Sequence, residues 1–239
     1  MRYEPSYGAK LEANREATLP EQCLIWGATH GQQVSPSTMG RAIKSRGWTR
    51  KKKTLVASER DEEARAAWRI QAGREQHDQW VFVDECGTHI ALTPLYARSP
   101  RGTRAVGKVP RNYGANTTLI ASLSVGGMGE ALILEGAADA CAFEVSIEQV
   151  LAPSLQPGQT VVMDNVSTHL GIRVRQAIEA RGCRLLYLPS YSPDLSPIEL
   201  AFSKLKTCLR RRGARTRQAL HRAITEALEA ITSQVPVDG

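Results

Sequence analysis

The apolar positions of this chain change period near residue 80. Before it they recur at helical spacing; beyond it short apolar runs alternate with amphipathic stretches. In residues 19–30, Leu19, Cys23, Ile25, Trp26 and Ala28 predict a short helix. A turn at Gly31-Gln32-Gln33 follows. Ser35 and Pro36 then give an N-cap with proline in the first turn, and Met39, Ala42 and Ile43 form the inner stripe of a second helix. Ser37, Thr38, Arg41, Lys44 and Ser45 fall on its outer face. Helix, short turn, and a helix with a polar, basic face fit a helix-turn-helix; the plainer alternative is a helical hairpin with a basic exterior. Residues up to about Leu11 show no period and are expected to fray. A charged helix is expected over 58–75, with Ser58 and Asp61 spaced as a capping box, connecting two domains.

Strand-like runs follow at 80–85, 88–93, 117–125, 130–135, 160–164 and 184–188, with Gly126-Gly127 turning between two of them. Helices are expected near 143–151, 171–181, 197–211 and 215–232. Hairpin order first and helix–strand alternation afterwards imply an α/β sheet, antiparallel on one side and parallel on the other.

Charge narrows the partner. The chain carries a net +7 and a pI near 9.3. Three acid-free stretches, 41–53, 98–111 and 204–217, hold seven, five and seven of its 31 basic residues. A charge run is usually a solvated face, yet three of them favour a polyanion. Arg50, Lys51, Lys52 and Lys53 suit contacts along a phosphate backbone. The five cysteines are scattered without a C-x-x-C pair, which argues against zinc and disulfide scaffolds and suits a reducing cytosol. No signal peptide and no apolar run of membrane-spanning length is present, so no membrane partner is expected.

Three acids stand at element boundaries. Asp84 closes Trp80-Val81-Phe82-Val83, Asp164 closes Thr160-Val161-Val162-Met163, and Glu199 sits one turn into a helix announced by Ser196-Pro197. Open α/β sheets place their sites at strand ends, and acidic oxygens suit Mg²⁺ or Mn²⁺ in phosphoryl transfer. Each acid also has a bland reading. Strand-end aspartates punctuate turns, and Ser196-x-x-Glu199 is a capping box. Lys206 and Arg210 share a helix face with Glu199 and are positioned to reach phosphates. Glu85 points to the opposite sheet face by strand alternation. With Asn165 and His169 it forms a secondary set, and His169 has a structural reading as well. His89 is a weaker candidate.

The string Leu188-Pro-Ser-Tyr-Ser-Pro-Asp-Leu-Ser-Pro-Ile-Glu199, with Val162-Met-Asp-Asn165 upstream and Val83-Asp-Glu85 earlier, resembles the mariner-type DDE transposases, most closely their bacterial insertion-sequence branch. The resemblance covers about residues 35–232. It implies an RNase H-like mixed five-stranded sheet flanked by helices, and a divalent-metal-dependent DNA endonuclease and strand transferase. Its catalytic and metal-holding acids fall on Asp84, Asp164 and Glu199, with two Mg²⁺ or Mn²⁺ ions per site; Asp194 reads as structural. The partners implied are double-stranded DNA, as terminal inverted repeats and a TA target, and a second copy of the chain, in a nucleoid-associated bacterial setting. The organisation expected is a helix-turn-helix segment over 1–56, the second of two such units, then a helical linker over 57–78 and the catalytic domain over 79–239. An RNase H-like nuclease that does not join ends, and a non-catalytic DNA-binding remnant or regulator, remain open alternatives.

Overall fold

The computed structural model of this chain describes residues 5–51 and 55–231. Lys52, Lys53 and the far end of the helix expected over 215–232 lie outside them. The chain divides into two compact units, residues 1–56 and 57–239.

The first unit is three helices: α1 (Pro5–Ala13), α2 (Leu19–His30) and α3 (Pro36–Ser45). From Pro5 on, the stretch expected to fray is instead α1; residues 1–4 lie outside the described residues. Tyr7 and Leu11, one turn apart, close a small core with Trp26 and Met39. The Tyr7 hydroxyl lies 3.1 Å from Gln22 Oε1 and 3.0 Å from Met39 Sδ. Gly31, at φ 67°, supplies the left-handed cap that ends α2 and opens the turn. Ser35 then caps α3, its hydroxyl accepting from Thr38 N at 3.2 Å.

The second unit opens with α4 (Glu62–Ala72), so the helix expected as a linker is part of this compact unit. Its cap is Asp61, whose carboxylate accepts from Glu63 N and Ala64 N at 2.9 Å each. Ser58 turns to Glu59 instead and no capping box forms there. Five strands make one sheet: β1 (Trp80–Thr88), β2 (Thr117–Ser124), β3 (Gly127–Glu135), β4 (Thr160–Met163) and β5 (Arg184–Tyr187). Their order is β3-β2-β1-β4-β5, antiparallel through β3, β2 and β1 and parallel through β1, β4 and β5.

The run at 88–93 is not a separate strand. β1 extends to Thr88; beyond it the carbonyls of Ile90 and Leu92 accept from the Arg215 guanidinium at 3.0 and 2.9 Å. Acceptors occupied by a side chain do not pair with a neighbouring strand, and the chain stays irregular to residue 116.

Helices cover both faces. α7 (Ile198–Arg212) and α8 (Arg217–Ala230) bury Phe202, Leu205, Leu209 and Ile224 with Phe82, Cys86 and Val162 of the sheet. On the other face, α5 (Ala140–Val145), a π-type turn over Ser146–Leu151 and α6 (Ile172–Glu179) pack Phe143, Ile147, Val174 and Ile178 on Val81, Val83, Val161 and Met163. Alternation along β1 and β4 thus divides the two cores residue by residue.

Candidate active site

Asp84 and Asp164 leave the sheet side by side. β1 and β4 run parallel with Phe82 opposite Val162, and each aspartate lies two residues further on. Alternation puts Asp84 on the face of Phe82, and Asp164 follows the last residue of β4 on the neighbouring strand about 4.8 Å away. α7 covers that same face. Five residues in its first twelve, Ile198, Ala201, Phe202, Leu205 and Leu209, are buried, which leaves Glu199 exposed in the first turn above the strand ends.

The three carboxylates interact electrostatically. Burial pushes the Asp84 carboxyl up to about 7; a hydrogen bond from Glu85 N (2.7 Å) opposes this, and the charges of Asp164, Glu199 and Glu85 add to the rise. Such mutual repulsion is what an oxygen-seeking cation relieves. The donor set is all carboxylate, which suits Mg²⁺ or Mn²⁺. Among the described residues no group of three or more His, Cys, Asp or Glu side chains is already drawn together as a metal-holding cluster. An open set suits Mg²⁺, which takes one or two carboxylates and fills its remaining positions with water and phosphate oxygens.

The capping-box reading of Glu199 does not hold. No side chain caps α7, and Glu199 meets Ser196 only through its backbone N, 3.3 Å from Ser196 O. No described residue hydrogen-bonds or ion-pairs with the Glu199 carboxylate. Its place in the first turn sets it at the N-terminal, positive end of the helix dipole. Lys206, two turns along the same face, sits beside the buried Cys86 thiol; burial raises that thiol's pKa, and the ammonium partly offsets the rise. Arg210 is eleven residues from Glu199, about 16 Å along the axis, and is half-buried well away from the acids.

Glu85 points away from Asp84, as alternation requires, yet it joins the site from below. His169, fully buried, has Nε2 at 3.0 and 2.9 Å from the two Glu85 oxygens. Its Nδ1 forms an ion pair with Asp164 Oδ1, which is buried and otherwise without a partner. Burial alone would depress the imidazole; the bonds to Asp164 and Glu85 outweigh it and raise the ring to about 10. Asn165 is exposed beside Asp164, and no bond ties its side chain to the acids. His89 stacks on Tyr113 at 4.6 Å, outside this group.

One residue that matters here, Arg65, is not among the candidates of the sequence. Arg65, fully buried on α4, grips Asp194 with two hydrogen bonds of 3.0 and 2.6 Å. That bidentate contact holds the Asp194 carboxyl below its usual range and anchors the loop that delivers Glu199. The available cue was the spacing of Arg65, Trp68 and Ala72, which puts an arginine on the inner stripe of α4. In the same loop Tyr191 adopts φ 55°, a left-handed conformation rare for a residue with Cβ.

The remaining basic candidates belong to the first unit. Ser37, Arg41 and Lys44 are exposed at i, i+4 and i+7 on α3, while Thr38 is half-buried with its hydroxyl 3.0 Å from Ser35 Oγ. Arg50 and Lys51 are exposed beyond the helix. No helix of the described residues is long and apolar enough to cross a membrane.

Comparison with known proteins shows the family and the fold. The DDE superfamily endonuclease family matches residues 79–221, more than half of the chain. The Tc1 transposable-element transposase of Caenorhabditis elegans is 24% identical over 95% of this chain and 88% of its own length. The structure of the Mos1 mariner paired-end complex with Mn superposes with a TM-score of 0.73 at 17% identity, covering 98% of this chain and 74% of that one. The isolated catalytic domain of Mos1 transposase gives 0.56 at 16% identity, over 79% of this chain and 88% of that one. The second unit thus has the RNase H-like fold, and the first has helices consistent with a small helix-turn-helix.

Proposed function

The chain belongs to the DDE superfamily endonucleases and is homologous to the Tc1/mariner transposases; on that premise we propose that it cuts the ends of its own element and joins the freed 3′ ends to target DNA. The observation that carries this reading is the meeting of Asp84 and Asp164, from adjacent parallel strands, with Glu199 from the start of α7, closely enough for Asp84 to feel both charges. Mos1 complexes have been described with Mn and with Mg, which supports divalent metal here too.

Asp84, Asp164 and Glu199 would hold two divalent ions, which when bound activate the attacking oxygen and offset charge on the leaving one. The chain's own residues do the rest. The two aspartates follow neighbouring parallel strands, whose backbones lie a strand spacing apart. Glu199 closes the set from above. Lys206, on the same helix face, lies where it can meet a phosphate of the scissile strand, and Arg210 serves DNA further along. On α3, Ser37, Thr38, Arg41 and Lys44 are the groove-facing set, with Arg50 and the lysines after it on the backbone. A second copy of the chain on paired ends is the assembly this reading requires; Mos1, a relative by fold, forms a paired-end complex with its transposon end.

The test is an oligonucleotide assay with terminal-repeat duplex and target duplex in Mg²⁺. Cleavage followed by a joined product is expected. Cleavage with no joined product would favour a plain nuclease, and metal-independent binding with no nicking would favour a regulator.

A further inference from the structure

We propose that Glu85, acting through His169, is a positioning residue for Asp164; this rests on the reading of Asp164 as a metal-holding acid. Glu85 lies on the opposite face of β1 from Asp84, opposite Ile120 rather than Ala121. Its two oxygens nevertheless face one atom, His169 Nε2, at 3.0 and 2.9 Å. A ring nitrogen between carboxylate oxygens carries its hydrogen and donates it.

The ring cannot turn away. It is fully buried, stacks on Phe143 at 4.0 Å, and its backbone carbonyl accepts from the Tyr187 hydroxyl at 2.9 Å. Its other nitrogen, Nδ1, meets Asp164 Oδ1 and lies 3.4 Å from the Asp164 carbonyl. The Asp164 side chain is 40% exposed and has no other partner for Oδ1. Left alone, a short strand-end carboxylate would sample several rotamers. Bridged to a locked ring, it commits one oxygen to the histidine and is held in one orientation.

Both Glu85 oxygens lie within hydrogen-bond reach of one ring nitrogen, so the far end of the bridge holds the ring while its near end meets Asp164. Carboxylate, histidine and metal-holding acid thus form a relay of orientation in which only the last member faces the reaction.

The test compares full-length wild type, Glu85→Gln, Glu85→Ala and Asp164→Asn by calorimetric Mn²⁺ binding, and by cleavage as a function of Mn²⁺ concentration. Glu85→Gln can still accept from Nε2 but lacks the charge; Glu85→Ala lacks both. The half-saturating Mn²⁺ concentration is expected to rise roughly tenfold in Glu85→Ala and less in Glu85→Gln, with the rate at saturating metal within a few-fold of wild type. Wild-type Mn²⁺ affinity in both Glu85 variants overturns the proposal, as does a loss confined to the saturated rate. If Glu85→Ala fails to fold, Glu85→Gln alone decides. Asp164→Asn separates the two failures. If it binds and cleaves as wild type, the reading of Asp164 falls and the positioning role with it; if it loses both while Glu85→Ala keeps both, only the positioning role falls.

Discussion

Asp164 ends a buried strand and meets a histidine that cannot turn, whereas Glu199 begins a helix and no described residue bonds to its carboxylate. The first acid is held at its side chain. The second is held only through the backbone that carries it: α7 by five buried residues, and the preceding loop by Arg65 and Asp194. Positioning by contact couples an acid to stability, and positioning by scaffold leaves it free to serve a ligand. The two arrangements should therefore respond differently to substitution.

The largest effect on stability is expected at the scaffold of Glu199. Arg65→Met removes the bidentate partner of Asp194, leaving only the longer contact to Arg60, and disturbs a fully buried position, so unfolding free energy should fall by about 2–4 kcal/mol by chemical denaturation. Arg65→Lys keeps the charge but loses the bidentate geometry, and should recover only part of that loss.

Next come the acids themselves. Asp164→Asn removes one ion pair of the buried His169 and should cost about 1–2 kcal/mol, the exposure of Asp164 limiting the effect. Glu199→Gln should change stability by less than about 0.5 kcal/mol, because no described residue bonds to that carboxylate. Equal losses in the two variants would erase the distinction drawn between them.

A smaller effect follows pH. The folded-state pKa of Asp194 is depressed by Arg65, so its contribution is present above the ordinary aspartate pKa of 3.8 and is lost as pH falls through the lower folded value. Asp194→Asn should be less stable than wild type near neutrality, and the gap should narrow as acid protonates the wild-type side chain. Denaturation midpoints measured across that range check the sign. The smallest effect belongs to the first unit: Lys44→Ala should weaken duplex binding a few-fold and lower the salt slope by about one if Lys44 meets a phosphate.

Much of this arrangement was legible in the sequence because it rests on short-range pattern. The apolar runs before Asp84 and Asp164 marked strands, and Ser35-Pro36 marked the start of α3. The i, i+3, i+4 stripe of α7 placed Glu199 opposite the core. What escaped depends on distant partners. Tyr7 and Leu11 gain their helix from Trp26 and Met39, which local period does not reveal. The strand expected at 88–93 has suitable residues, but its carbonyls are taken by Arg215, more than a hundred positions away. Ser196 and Glu199 have capping-box spacing, yet neither side chain caps the helix. Glu85 was placed correctly on the far face by alternation; its link to Asp164 through His169 was not visible from period alone.

The central claim is that Asp84, Asp164 and Glu199 act as one metal-dependent site. Its most direct test is single-turnover cleavage of a terminal-repeat duplex in Mg²⁺ by wild type, Asp84→Asn, Asp164→Asn and Glu199→Gln, each confirmed to be folded. Loss of several kcal/mol of transition-state stabilisation corresponds to about a thousandfold drop in rate for every one of the three. A folded variant of any of the three that cleaves at the wild-type rate would contradict the claim.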